Sequence, residues 1–233
     1  MSRYDEIEVG GSPMAIFLAA PEGPRPHPAV LLMCHGAGID EFTRDVAERL
    51  AAAGYVAGAP DIFHRQPGIE DPVEKRANLK DSEIAADIDA TVARLEGMAD
   101  VQAGNLSILG HCMGGRMAFL GASLNPIFRA AVIYYGGNIF VSWGNEGPTP
   151  FERLKDIKCP VIGFFGMDDA NPSPEDVNKI DAALEEHGIA HEFHRYAGAG
   201  HAFQNFTRAD AYREEATKDS WQRTLDFLQQ RLG

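Results

Sequence analysis

The length and charge of the chain limit what it can be. It has 233 residues, with 34 Asp and Glu against 21 Lys and Arg, and a formal net charge of −13 at pH 7. A chain of this length can bury one sizeable core, so we expect a single domain over residues 1–233. Nucleic acid and anionic membrane surfaces are not expected partners, because both attract positive charge. The charged N-terminal residues and the lack of an apolar run of ~18 residues favour a cytoplasmic location.

Strand and helix patterns alternate along the chain. The opening segment, with Ile7 and Val9 followed by MAIFLA at 14–19, predicts an antiparallel hairpin at a sheet edge. Continuous apolar runs then predict strands buried on both faces of a parallel sheet, at 29–34, 55–60, 105–110, 130–136 and 160–166, and a further strand is predicted at 190–196. Apolar residues at helical spacing separate them: Phe42, Val46 and Leu50; Ile84, Ile88, Val92 and Leu95; Val177, Ile180 and Leu184; and finally Trp221, Leu225 and Leu228. This alternation predicts an α/β fold, a mainly parallel sheet with helices on both faces.

The longest segment without a regular pattern runs from Phe63 to Asp81. It is polar and charged, and it follows the end of a predicted strand. We therefore expect an irregular flap over a site.

One turn carries the strongest chemical signal. Residues 110–115 read GHCMGG and join a predicted strand to a helix that begins near Met113. This is the layout of a nucleophile elbow, with Cys112 at the strained position and glycines two residues to either side. A helix N-terminus favours the thiolate, which is the reactive form. Cys112 is the predicted nucleophile, although a free cysteine is often a buried, inert residue.

A nucleophilic thiol needs a base and an acid that orients the base. In elbow hydrolases these follow the nucleophile in the order acid, then histidine, on loops after later strands. Asp168 and Asp169 follow the predicted strand at 160–166, and His201 stands in the glycine-rich loop after 190–196. From this order alone either aspartate is a candidate.

These residues give the chain a family resemblance over nearly its whole length. The Gly-x-Cys-x-Gly-Gly elbow and the segment from 29 to 63 resemble the dienelactone hydrolase family of α/β-hydrolases. The resemblance implies the α/β-hydrolase fold and a Cys-His-Asp triad of Cys112, His201 and Asp169. It also implies hydrolysis of a carboxylic ester or lactone through a thioester, without a cofactor or metal. Gly166 and Pro174 fit the family spacing around the acid when the acid is Asp169.

The same resemblance implies an oxyanion hole and a substrate pocket. The hole would use the backbone N–H groups of Met113 and Gly36, with Ala37 beside them. The family has a glutamate where this chain has His35, which we expect to bond a carbonyl near the elbow. The family also has an arginine four residues after the histidine. The matching position is Asn205 and the nearest arginine is Arg208, so a neutral lactone or ester is at least as plausible as an anionic one. Tyr134 and Tyr135 are candidate pocket aromatics, or equally core tyrosines.

Other motifs are interpreted as structural. His191 and His194 are three apart on a predicted strand and point to opposite faces, so a metal site is not expected. Cys34 and Cys159 are expected to be buried structural thiols. Two alternatives to an esterase remain open: a non-catalytic small-molecule binder on the same fold, and a thiol redox sensor with Cys34 as the resolving cysteine. The oligomeric state is not predicted.

Overall fold

An eight-stranded sheet lies at the centre of the part of the chain that the structure describes. The computed structural model describes residues 1–23, 26–145 and 147–233. The strands are β1 (Ser2–Val9), β2 (Ser12–Ala19), β3 (His27–Met33), β4 (Val56–Pro60), β5 (Val101–His111), β6 (Phe128–Tyr134), β7 (Val161–Gly166) and β8 (His191–Tyr196). They are arranged in the order β1-β2-β4-β3-β5-β6-β7-β8. β1 and β2 form an antiparallel hairpin, β2 is antiparallel to β4, and the remaining neighbours are parallel. The predicted fold class is confirmed.

Helices cover both faces of the sheet. They are α1 (Glu41–Ala52), α2 (Pro72–Ala77), α3 (Asp81–Glu96), α4 (Met113–Leu124), α5 (Pro174–Glu186) and α6 (Glu214–Leu232). Because side chains alternate along a strand, Val30 and Leu32 pack with α1 and α6, while Leu31 and Met33 pack with α3, α4 and α5. Two continuous cores therefore flank the sheet. No helix in the described ranges is both long and apolar enough to cross a membrane.

The structure corrects the interpretation of residues 63–81 as irregular throughout. This segment contains α2, whose first turn is capped by Asp71 and begins with Pro72. None of the residues of α2 is buried. Because α2 buries no face, its sequence has no apolar stripe. The apolar stripe is the signal that predicts the other helices, so no pattern in the sequence indicates α2.

The predicted anchors of the last helix also need correction. Trp221 and Leu225 are only half-buried, at the margin of the helix face that packs on the sheet. The centre of that face is formed by Ser220, Thr224 and Leu228, which are fully buried. Small polar residues can occupy this face because their hydroxyls are paired: that of Thr224 bonds the hydroxyl of Tyr134, and that of Ser220 accepts from Gln204 and donates to the carbonyl of Thr217.

Candidate active site

The elbow at the end of β5 holds Cys112 in a strained conformation. Its φ and ψ are 58° and −120°, a region that non-glycine residues seldom adopt. A Cβ on Gly110 would overlap the carbonyl oxygen of Gly114, and a Cβ on Gly114 would overlap that of Met33. The flanking glycines are therefore required by close approach of backbone to backbone. The thiol stands at the carboxyl edge of the sheet, directly before the first turn of α4.

His201 and Asp169 come to the same edge from the loops after β8 and β7. The Nδ1 of His201 lies 2.8 Å from Oδ2 of Asp169, so the ring N–H donates to the carboxylate. The other oxygen of Asp169 accepts the backbone N–H of Asn171 at 2.8 Å. Asp169 is buried, whereas the neighbouring Asp168 is exposed. The aspartate whose carboxylate meets the imidazole is therefore Asp169.

The thiol and the imidazole shift each other's protonation. Burial raises the pKa of Cys112, but its hydrogen bond and charge interaction with His201 outweigh burial, and the net pKa is lowered. Burial lowers the pKa of His201, but the Asp169 carboxylate and the Cys112 sulfur together raise it to about 10. Both shifts favour a thiolate beside an imidazolium, the arrangement that activates a cysteine nucleophile.

Two backbone N–H groups face the sulfur as well. The N–H of Met113, in the first turn of α4, and that of Gly36, in the loop after β3, both lower the pKa of Cys112 by hydrogen bonding. One donor belongs to a helix and the other to a loop, and both meet the same sulfur. An oxyanion forming on a carbon bonded to that sulfur would be close to both donors.

The loop after β3, residues 34–40, is held by His35 and Asp40; we name it the oxyanion loop after its predicted donor Gly36. The Nε2 of His35 lies 2.9 Å from Oδ2 of Asp40, which also caps α1 by accepting from Thr43. Burial raises the pKa of Asp40, but these contacts outweigh it and leave the net pKa lowered. The Nε2 of His35 therefore faces the carboxylate of Asp40 and not the carbonyl near the elbow that the sequence led us to expect.

A cavity of about 700 Å³ opens above the thiol. Its walls come from the oxyanion loop, from the flap and α2, from the first turn of α4 and from the loops after β6, β7 and β8. They include His35, Gly36, Ala37, Val73, Arg76, Cys112, Met113, Arg116, Asn138, Trp143, Asn171, His201 and Arg208. The predicted flap therefore does form one wall of the cavity.

Three predicted pocket residues lie outside this cavity. Tyr134 is fully buried, and its hydroxyl donates to the carbonyl of Ser220. Tyr135 is also buried, with its ring edge-on to His201 at 5.2 Å between centroids. Asn205 is buried, and its Oδ1 accepts from the backbone and hydroxyl of Thr207. Asn205 therefore carries no information about the charge of the substrate.

Two arginines that line the cavity were missed in the sequence. Arg76, on α2, passes against the oxyanion loop, since a Cβ on Gly36 would lie 3.1 Å from Arg76 Cδ. Arg116, on α4, is fully buried and forms two hydrogen bonds to Asp81, at 2.6 and 3.0 Å. The charge of Arg116 is thus matched by Asp81. Arg76 has no carboxylate within 4.0 Å among the described residues.

The remaining candidate groups have structural surroundings. Cys34 and Cys159 are buried, and burial raises the pKa of each to about 12. The Nε2 of His191 lies 2.8 Å from Asp181, and that of His194 lies 2.8 Å from Glu192. Within residues 1–23, 26–145 and 147–233, no group of three or more potential ligands could hold a metal ion.

Comparisons with known proteins agree on one family. The model of the dienelactone hydrolase family matches residues 14–232. A putative carboxymethylenebutenolidase of Synechocystis sp. is 34% identical over 229 residues, covering 94% of this chain and 92% of the relative. A probable 2-oxo-3-(5-oxofuran-2-ylidene)propanoate lactonase of Bradyrhizobium sp. is 32% identical, covering 98% and 94%. The crystal structure of a putative dienelactone hydrolase from Klebsiella pneumoniae has a TM-score of 0.91 at 31% identity, covering 99% of this chain and 98% of the other. The chain belongs to the dienelactone hydrolase family, whose members are α/β-fold hydrolases of lactones and esters.

Proposed function

We propose that this protein hydrolyses a carboxylic ester or lactone with Cys112 as nucleophile, His201 as base and Asp169 as the group that orients the base. One observation carries the proposal: the imidazole of His201 is hydrogen bonded to the carboxylate of Asp169 and lines the same cavity as Cys112, and the imidazole and the thiol shift each other's pKa. A base held between an acid and a nucleophile is the constellation that defines a catalytic triad, independent of fold.

The reaction follows from this geometry in two halves. His201 holds the proton of Cys112, and the thiolate attacks the substrate carbonyl, whose oxygen takes the negative charge beside the N–H groups of Met113 and Gly36. When the carbonyl re-forms, the C–O bond to the leaving group breaks and His201 gives it the proton. Water then loses a proton to His201 and attacks the thioester. The C–S bond then breaks, the acid leaves, and His201 returns the proton to the sulfur of Cys112.

Arg76 and Arg208 favour a substrate that carries an anionic group. Both line the cavity, from α2 and from the loop after β8. Arg208 also contacts the exposed Asp210 at 3.1 Å, whereas Arg76 has no such partner in the described ranges. An exposed ion pair contributes up to ~1 kcal/mol, which is about fivefold in KM for each arginine. The comparisons support this class, since the Bradyrhizobium relative carries the name of a lactonase for a propanoate.

Loss of the proposed nucleophile or base tests the reaction. Cys112→Ala and His201→Ala should each abolish turnover of 4-nitrophenyl acetate, while Cys159→Ala, which removes a buried thiol that does not line the cavity, should retain it. Activity that survives in Cys112→Ala would refute the mechanism. A native thiol at Cys112 that resists alkylation at pH 7 would instead favour the non-catalytic binder.

The charge of the substrate is tested by two esters with the same leaving group. Arg76→Ala should raise KM about fivefold for the 4-nitrophenyl monoester of succinic acid and less than twofold for 4-nitrophenyl acetate. Arg223→Ala is the matched control, because Arg223 pairs with Asp219 on α6 and does not line the cavity. Equal effects of Arg76→Ala on both esters would exclude a role for this arginine in recognising the anion.

A further inference from the structure

His111, the residue before Cys112, makes a buried hydrogen bond that no step of hydrolysis uses. The side chain lies at the end of β5 and is 2% exposed. Its Nε2 is 2.7 Å from Oε1 of Gln204, so the ring N–H donates to the amide oxygen. The amide nitrogen of Gln204 in turn donates to the hydroxyl of Ser220 on α6. Two consecutive hydrogen bonds therefore join three elements: the elbow, the segment 197–213 that carries His201 (the histidine loop), and α6.

Aromatic rings hold the imidazole of His111 in place. It stacks on Tyr134 with centroids 4.4 Å apart and an interplanar angle of 14°. The ring of Phe42 meets it edge-on at 5.0 Å. Burial lowers the pKa of His111 to about 3, against the smaller opposing effect of Gln204, so the ring is neutral at physiological pH. A neutral imidazole has one N–H, and in His111 that N–H is committed to Gln204.

The segment that carries His201 depends on side chains for its shape. Residues 197–213, between β8 and α6, contain neither helix nor strand. Segments without a backbone ladder keep one conformation only where side chains or single backbone contacts fix them. Gln204 lies three residues after His201 and is 1% exposed. Next to it, the carbonyl of Phe203 accepts the hydroxyl of Thr217 at 3.0 Å.

We propose that His111 and Gln204 are positioning residues that hold the imidazole of His201 against the thiol of Cys112. Their hydrogen bond connects the residue beside the nucleophile with the segment that carries the base, so the two catalytic groups share one rigid support. The inference rests on the proposed hydrolysis and extends it. A displacement of about 1 Å between reacting groups can cost about 100-fold in rate.

The experiment compares two single variants with a control from the same buried network. Gln204→Met keeps the volume and leaves the N–H of His111 unpaired. His111→Phe keeps the stacking and leaves the amide oxygen of Gln204 without its donor. Each should lower kcat about 10- to 100-fold with KM within twofold. Each should also move the pH profile of Cys112 alkylation by iodoacetamide upward, toward that of an ordinary thiol. The double variant should be no slower than the worse single variant, because both remove the same bond.

Thr224→Val is the matched control. It removes a hydroxyl whose hydrogen bond is to Tyr134 and not to His111 or Gln204. It should lower the melting temperature but leave kcat within twofold and the alkylation profile unchanged. A merely structural role for His111 and Gln204 would make all three variants behave like this control, and that result would overturn the proposal.

Two further measurements distinguish the positioning role from a folding defect and from the hydrolase proposal. In the unmodified protein, NMR of the histidine rings should show His111 as the Nε2–H form with shifts constant from pH 5 to 8, and a ring that titrates near pH 6.5 would overturn the assignment. If the unmodified protein hydrolyses no ester, while Gln204→Met still raises the pH needed for alkylation, the hydrolase proposal fails and the positioning role is supported.

Discussion

The two neighbouring aspartates after β7 offer a direct test of which carboxylate serves the imidazole. Asp169→Asn should lower kcat by about two to four orders of magnitude, while Asp168→Asn should change it less than twofold. Both substitutions remove one negative charge at nearly the same place in the chain. The difference between their kcat values therefore separates the effect of the 2.8 Å contact between Asp169 and His201 from the effect of removing a negative charge from the loop.

The magnitude follows from what an amide would do in the place of Asp169. Its oxygen would keep the N–H of Asn171, which Oδ1 accepts now, so the loop is expected to stay folded. The amide NH₂ would then face Nδ1 of His201 and donate to it, which moves the ring proton to Nε2. That nitrogen could no longer take the proton of Cys112. A charged hydrogen bond alone contributes about 1.5–3 kcal/mol, roughly 10- to 150-fold, and the wrong tautomer costs about 10⁴-fold in a Ser-His-Asp triad.

The assay is steady-state hydrolysis of 4-nitrophenyl acetate by both variants, with thermal unfolding as the check on folding. The pH profile of Cys112 alkylation should also move upward in Asp169→Asn, because His201 would hold a proton less strongly. The reasoning would be refuted by an Asp169→Asn variant within fivefold of the native kcat, or by equal losses in the two variants.

Three other expectations rest on single contacts. Gly114→Ala should yield no correctly folded protein by circular dichroism and gel filtration, because its Cβ would overlap the carbonyl of Met33. Arg116→Met should lower the free energy of unfolding in urea by about 3–5 kcal/mol, since Asp81 would be left buried without its partner; a loss below 1 kcal/mol would contradict this. Alkylation of native Cys112 should stay fast well below the ordinary thiol pKa of ~8.5. The pKa of Cys112 is lowered and that of His201 is raised, so the reactive thiolate persists at every pH between these two pKa values. Unfolded protein should show the ordinary profile, and an identical native profile would exclude the ion pair.

The three proposed catalytic residues could be predicted from the sequence because the topology of the sheet fixes where the ends of its strands lie. Cys112 and Asp169 follow the buried apolar strands β5 and β7, and His201 follows the partly buried edge strand β8. Parallel strands bring their carboxyl ends to one edge. The apolar runs predict where the strands lie, and the glycines of the elbow indicate that two backbone segments approach each other closely there. The structure brings these three side chains together for the same topological reason.

The residues that line the cavity were harder to predict from the sequence, because most of them lie in loops and on the exposed helix α2. Arg76 stands on a helix with no buried residue, so no periodicity marks it. Asn205 was matched by its spacing from His201, but the loop turns it inward to bond Thr207. The cation at this end of the cavity is Arg208, three residues further on. A fixed offset predicts a position only within a regular element, and residues 197–213 are irregular.

The polar core beneath the site shows how the irregular segment 197–213 can still be held in one conformation. Ser220 and Thr224 broke the apolar stripe of α6 and gave no signal of burial, yet they lie at the centre of its buried face. Hydrophobic contact alone would let the loop settle in several ways, because it is not directional. A buried chain of hydrogen bonds is satisfied in only one arrangement, since an unpaired amide or imidazole in the core is costly. Ser220 looks misplaced in the helix pattern, yet its hydroxyl supplies a directional contact to Gln204 that the irregular segment 197–213 lacks by itself.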